Sequence, residues 1–373
     1  MVKIVADNKI PFLRGVLEKY AEVVYFPGRE IKKEQIMDAD ALIVRTRTKC
    51  DGQLLMGTRV KYIATATIGF DHIDMDYCRE NGIEWSNAPG CNSGSVMQYI
   101  ASALAVITGR DGREFEDLTL GIVGVGHVGK KIEKLANVLG MRVMLNDPPR
   151  ERSEGEGIFT SLDDLLAGSD IVTMHVPLNR EGPDRSFHMA GEDFFGRMRK
   201  GAWFINSSRG EVVETGALKG ALSSGHLAGS VIDVWENEPE IDRELLAMAD
   251  IATPHIAGYS LDGKANGTAG SVGAVSRFFG LGVGDWYPEI PSPANPLIRV
   301  EKEYKNEDQM ISRLFLHTYD ILADSRKLKA GPEYFEKQRD DYSPRREFGA
   351  YKVSFENPVD PLGAKLNQMG FRI

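Results

Sequence analysis

The sequence predicts an α/β protein: two Rossmann-like or flavodoxin-like parallel-sheet domains followed by a small C-terminal α+β domain. Three observations carry that expectation. Short apolar, β-rich runs alternate with helix-spaced runs over most of the chain. A glycine turn, Gly124-Val125-Gly126-His127-Val128-Gly129, follows one such run and opens a helix. A proline-rich stretch from Pro288 to Pro296 then precedes a more charged and aromatic end. At 373 residues the chain is also longer than one core usually organises.

Taken in order, Val2–Asp7, Glu22–Pro27, Ala41–Thr46, Tyr62–Thr67 and Ile83–Ser86 read as strands, and Pro11–Tyr20 has helical spacing. Unbroken apolar strands separated by helices point to a parallel sheet covered on both faces. A long helix follows, capped by Asn92 or Ser93, carrying Val96, Ile100, Ala103, Leu104 and Ile107 on one face, and closed by Gly109 and Gly112. The second βα series has strands at Leu118–Val123, Arg142–Asn146, Ile171–His175, Trp203–Asn206, Ser230–Asp233 and Ile251–Thr253, the number expected of a dinucleotide-binding sheet. A helix over residues 261–281 is expected to return to the first domain. Beyond the prolines, Ile311, Leu314, Phe315, Tyr319 and Leu322 keep helical spacing, Tyr351–Phe355 reads as a strand, and a short helix ends the chain.

Composition narrows the function classes. A hydrophobic fraction of 42% with 27% charged residues is that of a soluble globular protein. No apolar run approaches the roughly 18–20 residues of a membrane span. The opening Met1–Asp7 reads as a strand and not as a secretory signal, so a cytoplasmic protein is expected. A net charge of −9 argues against broad nucleic-acid binding. Cys50, Cys78 and Cys91 lack metal-type spacing and read as free thiols in a reducing compartment, and no metal site is expected. Cys91, with no base motif beside it, reads as inert.

In the glycine turn, Gly124 permits the tight bend, Gly126 lets backbone approach a pyrophosphate, and Gly129 lets helix and strand pack closely. The helix start at His127 and Val128 offers free N–H groups to phosphates. The following strand ends at Asp147, about twenty residues on, where a carboxylate accepts from ribose hydroxyls and repels a 2′-phosphate. NAD is therefore expected over NADP, with nearby Arg150 the one complication. His175 and Val176, where the next strand ends, are assigned to the same cofactor site.

Three further residues follow predicted strands, where open α/β sheets bind ligands. Arg209 follows Asn206-Ser207-Ser208, Glu238 lies in Asp233–Pro239, and His255 follows Thr253-Pro254. Hydride chemistry at a hydroxy acid uses one of each type. A guanidinium binds a carboxylate and polarises the C2 oxygen. An imidazole exchanges the hydroxyl proton. A carboxylate orients the imidazole and favours its charged form. Glu236 is a rival to Glu238; the place of Glu238 before Pro239 favours it.

With these pieces the chain resembles the D-isomer-specific 2-hydroxyacid dehydrogenases. The matching segments are Gly124–Gly129, Asn206–Gly210, Asp233–Pro239 and Pro254–Gly258. The resemblance implies that Arg209, Glu238 and His255 are catalytic, that Asp147, Asp233 and Gly258 lie at NAD, and that Thr46, Thr67 and Tyr259 touch substrate together with Arg209. It also implies a discontinuous substrate-binding domain (1–92 and 260–288), an NAD-binding domain (93–259) and a C-terminal domain (289–373). Within the family, the segments Ala64–His72, Asn87–Asn92 and Gly258–Lys264 resemble a branch with an appended C-terminal dimerisation region. That implies a homodimer and a phosphorylated 2-hydroxy acid. Arg45, Arg47 and Lys49 cluster beside Thr46, and Arg45 is the candidate phosphate ligand, provided the chain turns there. Thr46 stands where the family usually has Ser, and Ser208 where a Cys often precedes the Arg. Two alternatives stay open: another D-2-hydroxyacid dehydrogenase, such as one for D-3-phosphoglycerate, and an NAD-sensing binding protein of corepressor type. The intact Arg–Glu–His set counts against the second.

Overall fold

The computed structural model describes residues 1–155, 157–300, 306–355 and 361–373. Every strand expected in the first 260 residues is present, with only its ends displaced. The chain forms two compact units, 1–92 with 260–291, and 93–259 with 292–373.

The first unit holds a five-stranded parallel sheet: β1 (Lys3–Asp7), β2 (Glu22–Phe26), β3 (Ala41–Val44), β4 (Tyr62–Thr65) and β5 (Glu84–Ser86), in the order β2-β1-β3-β4-β5. This is the flavodoxin-like order, whose switch point lies between β1 and β3. β3 and β4 are buried at every position, as strands covered on both faces must be. The Leu261–Phe279 helix supplies one cover, with Val272 and Val275 packed among Ile4, Ile43 and Ala64. Ser260 caps it by accepting from the Gly263 N–H at 2.8 Å, and Gly280 (φ 67°) ends it. Gly267 is obligatory here, since a Cβ would stand 2.4 Å from the Ala66 carbonyl oxygen. The Pro11–Tyr20 segment is not a helix but a series of turns. Phe12 (φ 63°) and Gly15 (φ 85°) both adopt left-handed backbone, which breaks the helical path that the spacing of apolar residues suggested.

The second unit is built on a six-stranded parallel sheet: β6 (Thr119–Val123), β7 (Arg142–Asn146), β8 (Ile171–Met174), β9 (Trp203–Asn206), β10 (Gly229–Ile232) and β11 (Ile251–Ala252). Its order is β11-β10-β9-β8-β6-β7, with the switch point between β6 and β8. The Ser93–Asp111 helix is buried on most of its surface and packs on the His127–Val138 helix and on a C-terminal helix, Glu307–Thr318. Residues of 292–373, among them Ile311, Phe315, Phe348 and Phe371, belong to the same apolar core as Leu104, Ile122 and Leu135. The helical run expected through Leu322 is interrupted. Tyr319 is extended, and Asp320 caps a new helix, Ile321–Ala330, by accepting from Ala323 N–H at 3.0 Å. A two-stranded parallel sheet, β12 (Leu297–Val300) with β13 (Lys352–Phe355), completes the unit. β12 went unpredicted because it is short and directly follows the prolines.

Candidate active site

The β6 turn has the geometry a pyrophosphate requires. Gly124 has φ 89°, and a Cβ on it would lie 2.7 Å from the His175 carbonyl. A Cβ on Gly129 would lie 2.2 Å from the Gly124 carbonyl oxygen, whereas Gly126 faces open space. The first glycine is thus required by packing against the β8 end across the switch point and the third by packing of the helix on the turn, and the second leaves room for a ligand. His127 is exposed at the first position of the helix, and Val128 follows it half-buried. Asp147 ties the turn to the next strand, its carboxylate accepting from Val125 N–H (2.7 Å) and, as a helix cap, from Arg150 N–H (3.0 Å). Arg150 is engaged elsewhere. It donates to both Glu154 carboxylate oxygens at 2.8 and 2.6 Å and to the Val125 carbonyl at 2.8 Å, so its charge is already countered. The His175 ring bonds Thr173 at 2.8 Å and is kept neutral, burial pushing its pKa down to about 3. Val176 stands against Gly124. These residues could hold NAD.

The candidate catalytic residues sit on neighbouring loops of the same sheet. Arg209 follows β9 in a turn organised by Asn206, which accepts from Ser208 N–H (3.0 Å) and Ser208 hydroxyl (2.8 Å) and donates to the Arg209 carbonyl (2.9 Å). Gly210 must be glycine, because a Cβ would stand 1.9 Å from the Trp235 carbonyl oxygen on the β10 loop. Glu238, on that loop, accepts from Trp235 N–H at 3.0 Å through one oxygen and from His255 Nδ1 at 2.8 Å through the other. A carboxylate can only accept, so Nδ1 carries the proton and the neutral ring presents a lone pair at Nε2. Nε2 makes no hydrogen bond among the described residues. Burial pushes the Glu238 carboxyl upward, but His255, Arg339 and the Trp235 N–H outweigh it and hold it below the usual carboxylate range.

His255 has left-handed backbone (φ 57°), unusual for a residue with a side chain. Asp233 holds it there. Its buried carboxylate accepts from Thr253 hydroxyl (2.6 Å), Ile256 N–H (2.8 Å) and Ala257 N–H (2.9 Å), while its carbonyl accepts from His255 N–H (2.7 Å). Thr253 gives its only proton to Asp233, so the Tyr99 hydroxyl, 2.8 Å away, donates to Thr253. Sequence reasoning assigned Asp233 to the cofactor; its carboxylate oxygens are engaged in shaping the His255 loop. Gly258 and Tyr259 continue that loop, both half-buried, and the Tyr259 ring meets Tyr342 edge-on at 6.0 Å.

The rival Glu236 has other partners. It pairs with His188 Nε2 at 2.6 Å and accepts from Thr215 N–H (2.9 Å) and hydroxyl (2.6 Å). Arg339 and Arg345, absent from the sequence reading, also reach this region and are taken up below.

In the first unit the chain turns after β3, where Thr48 N–H donates to the Arg45 carbonyl at 3.1 Å. Arg45 is clamped by buried Asp7, from the end of β1, through Nε (2.8 Å) and Nη2 (3.3 Å). Both residues thus stand at the switch point of that sheet. Thr46 is exposed in the turn, and Lys49 pairs with Asp51 at the surface. The Thr67 hydroxyl bonds Thr65 (2.8 Å) and the Gly69 carbonyl (3.0 Å). Lys264, which sequence reasoning missed, has its pKa pushed down to about 8 by burial and by the nearby Arg45 cation. Cys50 and Cys78 are buried free thiols and Cys91 is partly exposed. Among the described residues no cluster of His, Cys, Asp and Glu is set to hold a metal, and no helix is long and apolar enough to cross a membrane.

Comparison with known proteins agrees with this geometry. Residues 104–257 match the NAD binding domain of D-isomer specific 2-hydroxyacid dehydrogenases, and residues 290–370 match a domain of unknown function. Erythronate-4-phosphate dehydrogenase of Bacteroides fragilis is 52% identical over 353 residues, 94% of this chain and 99% of that one. The chain belongs to the erythronate-4-phosphate dehydrogenase family. The Shigella flexneri member is 40% identical, with 94% of each chain covered. Among solved structures, D-lactate dehydrogenase of Aquifex aeolicus with NAD and lactic acid is similar at TM-score 0.63 and 27% identity, covering 78% of this chain and all (100%) of that one. NAD-bound 3-phosphoglycerate dehydrogenase of Entamoeba histolytica is similar at TM-score 0.64 and 27% identity, covering 78% of this chain and 99% of that one.

Proposed function

We propose that the protein oxidises 4-phospho-D-erythronate to (R)-3-hydroxy-2-oxo-4-phosphooxybutanoate with NAD, a step toward pyridoxal 5′-phosphate. The observation that carries the reading is the Glu238–His255 pair, 2.8 Å apart with Nε2 unpartnered among the described residues, in the unit that bears the NAD cradle. Bound NAD supplies the acceptor for the C2 hydride. The chain's own residues handle the proton and the charges. Arg209 binds the substrate carboxylate and polarises the C2 oxygen. His255 Nε2 takes the C2 hydroxyl proton in oxidation and returns it in reduction. Glu238 fixes the tautomer and stabilises the imidazolium that forms.

Thr46, Thr67 and Tyr259 serve as substrate contacts in this reading, and Arg45 as the phosphate contact. The nearby Lys264 supports that last role: Asp7 offsets part of the Arg45 charge, and the partly shielded Lys264 cation adds to what remains. Asp147, Gly258 and the His175–Val176 turn serve NAD. A homodimer formed through the C-terminal segment and a cytoplasmic location complete the proposal.

The test is the initial rate of NADH fluorescence increase with 4-phospho-D-erythronate, D-3-phosphoglycerate, D-glycerate and D-lactate, a 2-oxo acid being added in parallel to re-oxidise retained cofactor. The expected result is a kcat/KM for 4-phospho-D-erythronate at least about tenfold above the others. Preference for D-3-phosphoglycerate would discard the substrate while keeping the chemistry. No turnover with any acid would leave an NAD-binding protein.

A further inference from the structure

The C-terminal segment sends two guanidinium groups to the catalytic loops. Arg339, on the short Phe335–Asp340 helix, places Nη1 3.5 Å from the Glu238 oxygen that also holds His255. Its charge also acts on the nearby Tyr259 side chain, and the same Nη1 donates to Glu336 at 3.4 Å. The side chain is only 11% exposed. Its Nε is buried without a hydrogen-bond partner among the described residues. A guanidinium retained only to stabilise the fold would be expected to have its donors paired; here Nη1 lies between the Glu238 and Glu336 carboxylates while Nε goes unpaired among the described residues.

Arg345 grips the loop itself. It donates to the carbonyls of Ala257 (2.7 Å), Ile256 (3.3 Å) and Tyr259 (3.3 Å), and stacks over Tyr319 at 3.9 Å. The loop is thus pinned by Asp233 through its N–H groups and by Arg345 through its carbonyls.

We propose that Arg339 is a positioning residue of the dehydrogenase reaction: it holds the Glu238 carboxylate against His255 and fixes Tyr259, so that the C-terminal segment is a working part of the catalytic centre. This rests on the dehydrogenase reading above. The physical basis is a shared carboxylate. The charged groups facing Glu238 are His255 from the β11 loop and Arg339 from the C-terminal helix, with Glu336 behind Arg339. Arg339 takes part of the negative charge that Glu238 would otherwise lend to the imidazolium. Removing it leaves the imidazolium over-stabilised, so the limb of the kcat/KM profile for oxidation that requires neutral imidazole moves to higher pH. It also frees Glu238 and Tyr259 to rotate, which lowers kcat.

The experiment compares the full-length parent with Arg339→Met and Arg339→Lys. It measures the pH profile of kcat/KM for 4-phospho-D-erythronate, the thermal midpoint, and NADH affinity by fluorescence. Expected for Arg339→Met is a kcat lower by roughly 10–10²-fold and a limb about one pH unit higher, with NADH affinity unchanged. Arg339→Lys, which keeps the charge but not the fork, is expected to restore the limb but not the full rate. If Arg339→Met does not fold, the lysine variant decides: a parental rate in it overturns the proposal. An unmoved limb in a folded Arg339→Met protein also overturns it, whatever the rate. A parent inactive on every acid removes the underlying reading instead, and is told apart by its unaltered NADH binding.

Discussion

Two histidine–glutamate pairs lie on this sheet, and their carboxylates are two residues apart. Glu238 meets His255 Nδ1 at 2.8 Å, and Glu236 meets His188 Nε2 at 2.6 Å. The pairs share chemistry but not surroundings. The second oxygen of Glu236 is taken by the backbone and hydroxyl of Thr215, so that pair staples the β10 loop to the start of the Thr215–Ser223 helix. His188 is stacked on Phe187, with ring centres 4.0 Å apart. Glu238 is instead braced by a backbone N–H and a guanidinium, whereas each histidine bonds its glutamate through one ring nitrogen and leaves the other unpartnered among the described residues. A His–Glu contact is therefore not a catalytic signature by itself. What distinguishes the two pairs is what else holds the carboxylate: Thr215 ties Glu236 to a helix start, whereas Glu238 is held by the Trp235 N–H and faced by Arg339.

Four changes test that contrast. The largest effect is expected from His255→Ala, a fall in kcat of roughly 10²–10⁴-fold; near-parental turnover would remove His255 from the chemistry. Glu238→Gln comes next, with a fall of roughly 10–10³-fold, because an amide can donate to Nδ1 and select the wrong tautomer. Glu236→Ala is expected to leave kcat within about threefold of the parent and to lower stability by about 1–3 kcal/mol, read by urea unfolding, since the Thr215 N–H loses its acceptor. A kcat loss as large as that of Glu238→Gln would erase the distinction between the pairs. The smallest effect concerns acid. Burial works to raise the Glu236 carboxyl, but Thr215 and His188 overcome it and hold its pKa below the ordinary value. Its contribution to stability is therefore complete above the unfolded value of about 4.3 and is lost as pH falls through the lowered folded value. Unfolding curves of parent and Glu236→Ala should converge as pH drops below 4.3; a gap constant to pH 2 would contradict this.

The α/β class and both parallel sheets were legible because buried parallel strands leave continuous apolar runs and the Gly124–Gly129 turn has a local geometric cause. The order Arg209, Glu238, His255 was legible for the same reason: each follows a strand, and strand ends can be read locally. The roles of Asp233 and Arg339 were not. The Asp233 carboxylate serves a loop some twenty residues later, and Arg339 meets Glu238 across about a hundred residues of chain, so no periodicity or short motif records either contact. The Pro11–Tyr20 turns were misread because apolar spacing alone does not reveal that Phe12 and Gly15 have left-handed backbone. The break at Tyr319 left one local trace, Asp320, which is a good cap residue.

Arg345 also imposes an order of events. The Ile256 carbonyl already accepts from Tyr259 N–H (2.9 Å) and the Ala257 carbonyl from the Ser95 hydroxyl (2.9 Å); Arg345, almost ninety residues later, adds a second donor to each and one to the Tyr259 carbonyl. Domains begin to fold from the N-terminal end while the chain is still being synthesised. The core of the second sheet includes Ile311, Phe315 and Phe348, so that sheet and the second grip on the His255 loop are both completed by the segment after residue 292. The grip on the His255 loop is therefore assembled in two stages, a local one from Asp233 and Ser95 and a later one from Arg345.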